Sequence, residues 1–327
     1  MENFWSKLNK KNKTILALAP MAGYTDSAFR QICKDFGADL LYSEMASAAA
    51  LFYNPKIKNN QTVELLKFSQ KEKPFIVQLF GSEPKHFAVA AKIISSQSFC
   101  FSSSRAGGKI DGIDINFGCP VPKVAKQKAG AELFKNLKKS KEVIKAVIAN
   151  TELPVLIKTR TKAGEVDVLK FLDFISDLDV KAVMIHGRTL KQGFVGQIDT
   201  KIIKKARNYF GGVILANGGV NSREDAEKIL AETEADGLGI GRGAIGRPWI
   251  FRELKNKNRK SSSADILKVV LKHSILAEKL KGKQGIIEMR KHLCAYVAGL
   301  PNAKKIRSKL IKVESIEDIK KAIEAEE

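Results

Sequence analysis

Cysteine is scarce and scattered. Four residues, Cys33, Cys100, Cys119 and Cys294, occur in 327 with no CxxC spacing. That argues against a zinc site or a disulfide framework and for a reducing compartment. Long apolar runs are missing too. No stretch reaches the roughly 18 residues that a membrane span requires, and the first seven residues lead into no apolar signal segment. The expectations are a cytoplasmic chain with no membrane partner and no metal. Acidic residues are under-supplied, with 35 Asp and Glu against 57 Lys and Arg and a net charge of +22. A chain this basic attracts polyanions, and nucleic acid is the usual one. The excess of lysine over arginine is also what a lysine-rich genome composition yields.

What is present is ordered. Hydrophobic residues make up 44% of the chain, enough for a sizeable core. Eight short apolar runs, at 14–19, 39–43, 75–80, 112–116, 155–159, 182–186, 213–217 and 236–240, have the composition of strands buried on both faces. Segments 84–95, 140–150, 166–178, 200–209 and 222–232 alternate with them and show helical spacing with lysine-rich outer faces. Ser222-Arg223-Glu224-Asp225 is a capping start. Eight alternating units predict an α/β fold, a (β/α)8 TIM barrel, over a doubly wound sheet. Residues 95–109 are rich in Ser and Gly and read as a surface insertion on the amino-terminal side of the fourth strand. After Arg252 the strand pattern stops. A polar, basic linker over 255–263 leads to helical segments at 264–281, 284–298, 303–311 and 315–325. The predicted division is a barrel over 1–252 and a small C-terminal helical domain over 253–327.

Polar residues fall repeatedly where these strands end, the rim on which such barrels place their chemistry. The fourth strand runs into Asn116-Phe117-Gly118-Cys119-Pro120. A thiol between glycine and proline at a strand's carboxyl end is poorly placed for packing. It can serve as nucleophile, metal ligand or proton donor. Gln78 lies in the third strand, Lys158 and Arg160 close the fifth, and His186 closes the sixth. A lysine inside an apolar run is costly to bury unless paired. Asn217-Gly218-Gly219 and Gly241-Arg242-Gly243 follow the last two strands, where barrels of this kind hold a phosphate. The run from Gly241 to Gly246 also fits GxGxxG, but it follows an eighth strand rather than a first. A phosphate-bearing cofactor across the barrel top is the better reading.

Taken in order, the stretches Ala19-Pro20-Met21-Ala22-Gly23-Tyr24-Thr25-Asp26, Val77-Gln78-Leu79-Phe80-Gly81, Asp114-Ile115-Asn116-Phe117-Gly118-Cys119-Pro120, Lys158-Thr159-Arg160, His186-Gly187-Arg188-Thr189 and Gly239-Ile240-Gly241-Arg242-Gly243 resemble the tRNA-dihydrouridine synthases, most nearly the bacterial B type. The resemblance runs from about residue 14 to about 310. It implies an FMN barrel reduced by NADPH and a helical domain that grips tRNA; a monomer is the default expectation for an RNA-modifying barrel. By motif, Pro20, Met21 and Ala22 line the flavin, Gln78 and Lys158 hydrogen-bond its ring, and His186 sits beside it. Asn217, Gly218, Gly219, Gly241 and Arg242 hold its phosphate. Cys119 is the proton donor, and Asn116 and Arg160 lie near the uracil.

The chemistry agrees with these roles. Reducing the C5–C6 bond of uracil needs a hydride at C6 and a proton at C5. A thiol, with an ordinary pKa of about 8.5, stays protonated at neutral pH. Two other readings compete. An FMN barrel oxidoreductase of a small pyrimidine or enone needs neither the basic charge nor the tail. A non-catalytic RNA-binding barrel needs neither Cys119 nor Lys158. Within the tail, His292 in Arg290-Lys291-His292 is a candidate RNA contact, and Tyr296 reads as core.

Overall fold

The computed structural model describes residues 14–55, 60–96, 99–100, 108–256 and 263–324. Eight parallel strands close into a barrel, as the alternating pattern predicts. They are β1 (Ile15–Leu18), β2 (Leu40–Ser47), β3 (Phe75–Phe80), β4 (Gly112–Asn116), β5 (Val155–Arg160), β6 (Val180–His186), β7 (Val213–Asn217) and β8 (Gly237–Ile240). Each pairs with its sequence neighbours, and β1 closes the ring on β8 through Ile15↔Gly237 to Leu18↔Ile240.

Side-chain alternation sorts every strand into two faces. One set, including Leu18, Leu41, Val77, Ile113, Ile115, Ile157 and Val183, packs outward with the surrounding helices into a large cluster. The other set points into the barrel. Its lower part is apolar: Ile15, Ala17, Leu40, Tyr42, Ile76, Leu156, Ala182, Met184, Val213 and Leu215. Space there is fully used. A Cβ at Gly239 would lie 2.6 Å from the Met184 sulfur. The same inward parity, continued toward the strand ends, selects Gln78, Asp114, Asn116, Lys158, Arg160, His186 and Asn217, the polar members of the sequence.

Several boundaries differ from the sequence reading, and each difference has a local cause. The second strand is longer than 39–43, because a register shift between Tyr42 and Met45 lets it continue beside β3 to Ser47. The helix expected at 140–150 starts earlier, as Leu137–Ile148, because Asn136 caps it by accepting from the Lys139 amide. The one expected at 166–178 is Val168–Phe174, capped by Asp167. Val166–Asp167 instead pairs antiparallel with Lys162–Ala163. Ser222 and Asp225 form the predicted capping box. Of the Ser/Gly-rich insertion, residues 97–98 and 101–107 lie outside the described residues, as do 257–262 of the linker.

The helix Ile250–Lys255 runs through the expected division at residue 252. Among the described residues four helices follow: Ser263–Lys281, Lys283–Tyr296, Ala303–Leu310 and Ile316–Glu324. They share an apolar cluster with Trp249 and with Ala28 of the barrel helix Ser27–Asp35. Phe29 of that helix lies 4.7 Å from the His292 ring and 5.6 Å from the His273 ring, centroid to centroid. His292 is 3% exposed and belongs to this seam, so it is no surface RNA contact; Tyr296 is core, as expected. Lys281 reaches Asp26 at 2.8 Å across the same seam. Among the described residues no helix is long and apolar enough to cross a membrane.

Candidate active site

The carboxyl ends of the strands surround a cavity of about 500 Å³. Every residue nominated from the sequence lines it: Pro20, Met21, Ala22, Gln78, Asn116, Cys119, Lys158, Arg160, His186, Asn217, Gly218, Gly219, Gly241 and Arg242. Tyr24, Met45, Arg188 and Phe194 line it too and had been given no role. Arg188 was legible in the His-Gly-Arg-Thr run, two residues beyond His186. Phe194 carried only the weak signal of an aromatic residue in a polar loop.

Cys119 sits on a loop pinned from three sides. Asn116 Oδ1 accepts the backbone N–H groups of Gly118 (3.0 Å) and Cys119 (2.9 Å). Arg160 Nε donates to the Gly118 carbonyl at 2.8 Å. The Cys119 carbonyl accepts from the Ala131 amide at 3.1 Å. Burial pushes the thiol above its ordinary range, against the pull of the Val121 amide, Arg160 and Lys158. The group is therefore a protonated thiol at neutral pH, an acid rather than a ready nucleophile.

Arg160 is 2% exposed. Besides Gly118 it donates through Nη1 to the carbonyls of Thr189 (3.1 Å) and Gly193 (2.8 Å). It thus ties the Cys119 loop to the loop after β6. Asn116, expected beside the uracil, likewise spends its amide on the loop and on Gln78 Oε1, to which its Nδ2 donates at 2.9 Å. Both residues line the cavity while also holding its walls.

The opposite wall is cationic. Lys158 Nζ donates to Asn217 Oδ1 at 3.1 Å, and Asn217 Nδ2 donates to the Gly239 carbonyl at 2.6 Å, which orients the amide. Burial lowers Lys158 to about 8, with Asp114 opposing the shift. His186 Nε2 faces Arg188 Nη1 at 3.3 Å. A guanidinium only donates, so Nε2 accepts and the ring proton belongs on Nδ1. Burial, with Lys158, Arg160, Arg188 and Arg242 around it, drives His186 down to about 2, so the imidazole is neutral. Arg188 Nε and Arg242 Nη2 donate to the carbonyls of Gly196 and Phe194, and Arg242 lies 4.6 Å from the Phe194 ring centroid.

Gly218 closes this wall in the left-handed region at φ +105. A Cβ there would lie 2.9 Å from the His186 ring. Four cationic side chains line the cavity, and no aspartate or glutamate is among the described lining residues. An anion is what such a wall lacks. The volume suits a cofactor-sized ligand. The glycine backbone at Gly218 and Gly219, with Arg188 and Arg242 also on this wall, fits a phosphate-bearing ligand of the flavin-nucleotide kind. Among the described residues no group of three or more His, Cys, Asp or Glu is placed to hold a metal.

Asp114 carried no role in the sequence pattern. It is fully buried on β4, where the β3–β4 register sets it opposite Gln78. Its Oδ2 accepts from Gln78 Nε2 at 2.7 Å. Burial raises its carboxyl to about 7, with Gln78 and Lys158 pulling the other way.

The family model described as dihydrouridine synthase matches residues 17–327. The chain is 32% identical over 320 residues to the probable tRNA-dihydrouridine synthase of Aquifex aeolicus (strain VF5), covering 96% of each. It is 35% identical over 295 residues to tRNA-dihydrouridine synthase B of Shewanella oneidensis, covering 87% of each. Among solved structures, histamine dehydrogenase from Rhizobium sp. 4-9 superposes with a TM-score of 0.53 at 11% identity, over 80% of this chain and 49% of that one. At that identity the likeness is one of fold alone.

Proposed function

Because the chain belongs to the dihydrouridine synthase family, we propose that it reduces a uridine of tRNA to 5,6-dihydrouridine, with FMN as cofactor, NADPH as reductant and Cys119 as the acid. The observation that carries this reading is the pairing of a pinned, protonated thiol with a cavity lined by four cations and, among the described residues, by no carboxylate. When bound, reduced FMN supplies the hydride for uracil C6. Cys119 delivers the proton to C5, from a loop whose geometry is set before substrate arrives.

Lys158, Gln78 and His186 face the flavin ring in this reading. Lys158, still charged at neutral pH, stabilises negative charge developing on the flavin or the uracil carbonyl. Pro20, Met21 and Ala22 line the ring through the backbone. Asn217, Gly218, Gly219, Gly241 and Arg242 take the phosphate end. Arg160 and Asn116 hold the Cys119 loop at the edge where the base enters. A uridine within a tRNA loop must be unstacked to reach the cavity, at a cost of a few kcal/mol. The net charge of +22 offsets that cost by holding phosphates. The helices beyond residue 252 are the part of the chain assigned to that grip.

Anaerobic reoxidation tests the proposal. The purified protein is reduced with NADPH and mixed with tRNA lacking dihydrouridine. Rapid return of the oxidised flavin spectrum, strongly slowed in Cys119→Ala, is the expected result. A bound flavin that ignores tRNA but responds to a free pyrimidine or enone would replace this reading with the small-substrate one.

A further inference from the structure

We propose that Asp114 is a positioning residue for Cys119, acting through a buried hydrogen-bond chain that runs by way of Gln78 and Asn116 to the backbone of the Cys119 loop. That Cys119 is the acid rests on the function proposed above; the chain itself does not.

The links are short and consecutive. Asp114 Oδ2 accepts from Gln78 Nε2 at 2.7 Å. Gln78 Oε1 accepts from Asn116 Nδ2 at 2.9 Å. Asn116 Oδ1 accepts from the Gly118 and Cys119 amides at 3.0 and 2.9 Å. Asp114, Gln78 and Asn116 are 0%, 2% and 8% exposed, so water does not readily replace a lost partner.

The chain has a direction, fixed at one end by the loop amides and at the other by Asp114. Each amide has one accepting and one donating end. Two amides in series can point either way unless an end is fixed. Backbone N–H groups at the loop require Asn116 to present oxygen there. That requires its NH2 to face Gln78 oxygen, and hence the Gln78 NH2 to face an acceptor below. Asp114 is that acceptor. Its other oxygen, Oδ1, has no hydrogen-bond partner among the described residues. A proton on the carboxyl is therefore accommodated at Oδ1, leaving Oδ2 an acceptor. The direction holds in both protonation states. Alanine at 114 removes the acceptor. Asparagine can still present an oxygen to Gln78.

The test follows Cys119 itself in the flavin-loaded full-length protein. Iodoacetamide labelling is quantified at each cysteine by peptide mass mapping, with Cys294 as internal control. The expected result is a change of about threefold or more in the Cys119 rate in Asp114→Ala, none at Cys294, and a near wild-type rate in Asp114→Asn. Single-turnover reoxidation by tRNA should fall about tenfold in Asp114→Ala with KM for tRNA unchanged, and should recover in Asp114→Asn. Should Asp114→Ala not fold, Gln78→Leu breaks the next link and is read by the same labelling. Unaltered Cys119 labelling in a folded variant overturns the proposal. Labelling that shifts as expected while wild-type protein shows no tRNA-dependent reoxidation would overturn the function and leave the chain standing.

Discussion

The two ends of the barrel interior are built from the same strands, with the same inward parity, and differ in almost every chemical respect. At the lower end Ile15, Leu40, Ile76, Leu156 and Val213 fill the interior with hydrocarbon. One or two inward positions further along, Gln78, Asn116, Lys158, His186 and Asn217 face a cavity. The lower layer secures closure, because interlocked apolar side chains tolerate neither voids nor added atoms. The upper layer accepts a half-buried lysine, a neutral histidine and a carboxyl raised to about 7, groups that need polar partners to sit there. The rigid lower layer holds those groups where hydrogen bonds compensate them. Sites of this kind are assembled on frames whose stability lies elsewhere.

Substitutions that separate the two ends sharpen this contrast. The largest effect is expected of Cys119→Ala. Its single-turnover reoxidation by tRNA should slow by about 10²–10⁴-fold, the usual span of a general acid. Its urea midpoint should match that of the wild type. A parallel loss of stability would mean that the thiol is a packing group after all.

Leu156→Ala should do the reverse. Leu156 is 1% exposed in the lower interior, and its truncation should cost about 2–5 kcal/mol in equilibrium unfolding. The folded fraction should keep its reoxidation rate within severalfold. If that rate collapses while the protein remains folded, the two ends are not separable.

A smaller and more local effect belongs to Gly218→Ala. Its φ of +105 and the His186 ring 2.9 Å from a Cβ should impose a strain of about 1–3 kcal/mol. Flavin retention on gel filtration should weaken before thermal stability does. Full retention would show that the wall beside His186 yields.

The smallest effect is one of pH. Burial holds His273 at about 4 and His186 at about 2, both below the ordinary 6.5. Unfolded chains take up these protons first. Stability is therefore lost as pH falls from 6.5 toward 4 for His273 and toward 2 for His186. Asp114, raised to about 7, has the opposite sign, losing stability as pH rises from 3.8 to 7. His292, which burial also holds below the ordinary range, acts in the same sense, and the histidines together outweigh Asp114, so the calorimetric Tm should fall by a few degrees between pH 7 and pH 5. His273→Phe, which keeps the ring against Phe29, should reduce the drop. An unchanged slope would remove His273 from the account.

The architecture was legible in the sequence, and so were most of the polar residues that line the cavity. Eight apolar runs with helical spacers carry the barrel, since a strand buried on both faces needs uninterrupted hydrocarbon and a helix needs its 3.6-residue stripe. Polar residues at the strand ends share one rim in any such barrel, so the sequence pattern groups Gln78, Asn116, Lys158, His186 and Asn217. Element limits were less legible, because side-chain caps such as Asn136 and Asp167, and the shift between Tyr42 and Met45, answer to local hydrogen bonds.

The partners that each polar group takes were set only by the packing of the closed barrel. Arg160 looked like a substrate contact and is also a brace, because three carbonyls converge on its guanidinium. His292 looked like a surface cation and is a buried ring, because its helix packs on Phe29. Asp114 went unnoticed beside Asn116, because a sequence does not show which strand lies opposite. The β3–β4 register sets its carboxyl against Gln78. Hydrogen bonds depend on distances of a few tenths of an ångström between residues far apart in the chain, and only the closed barrel sets those distances.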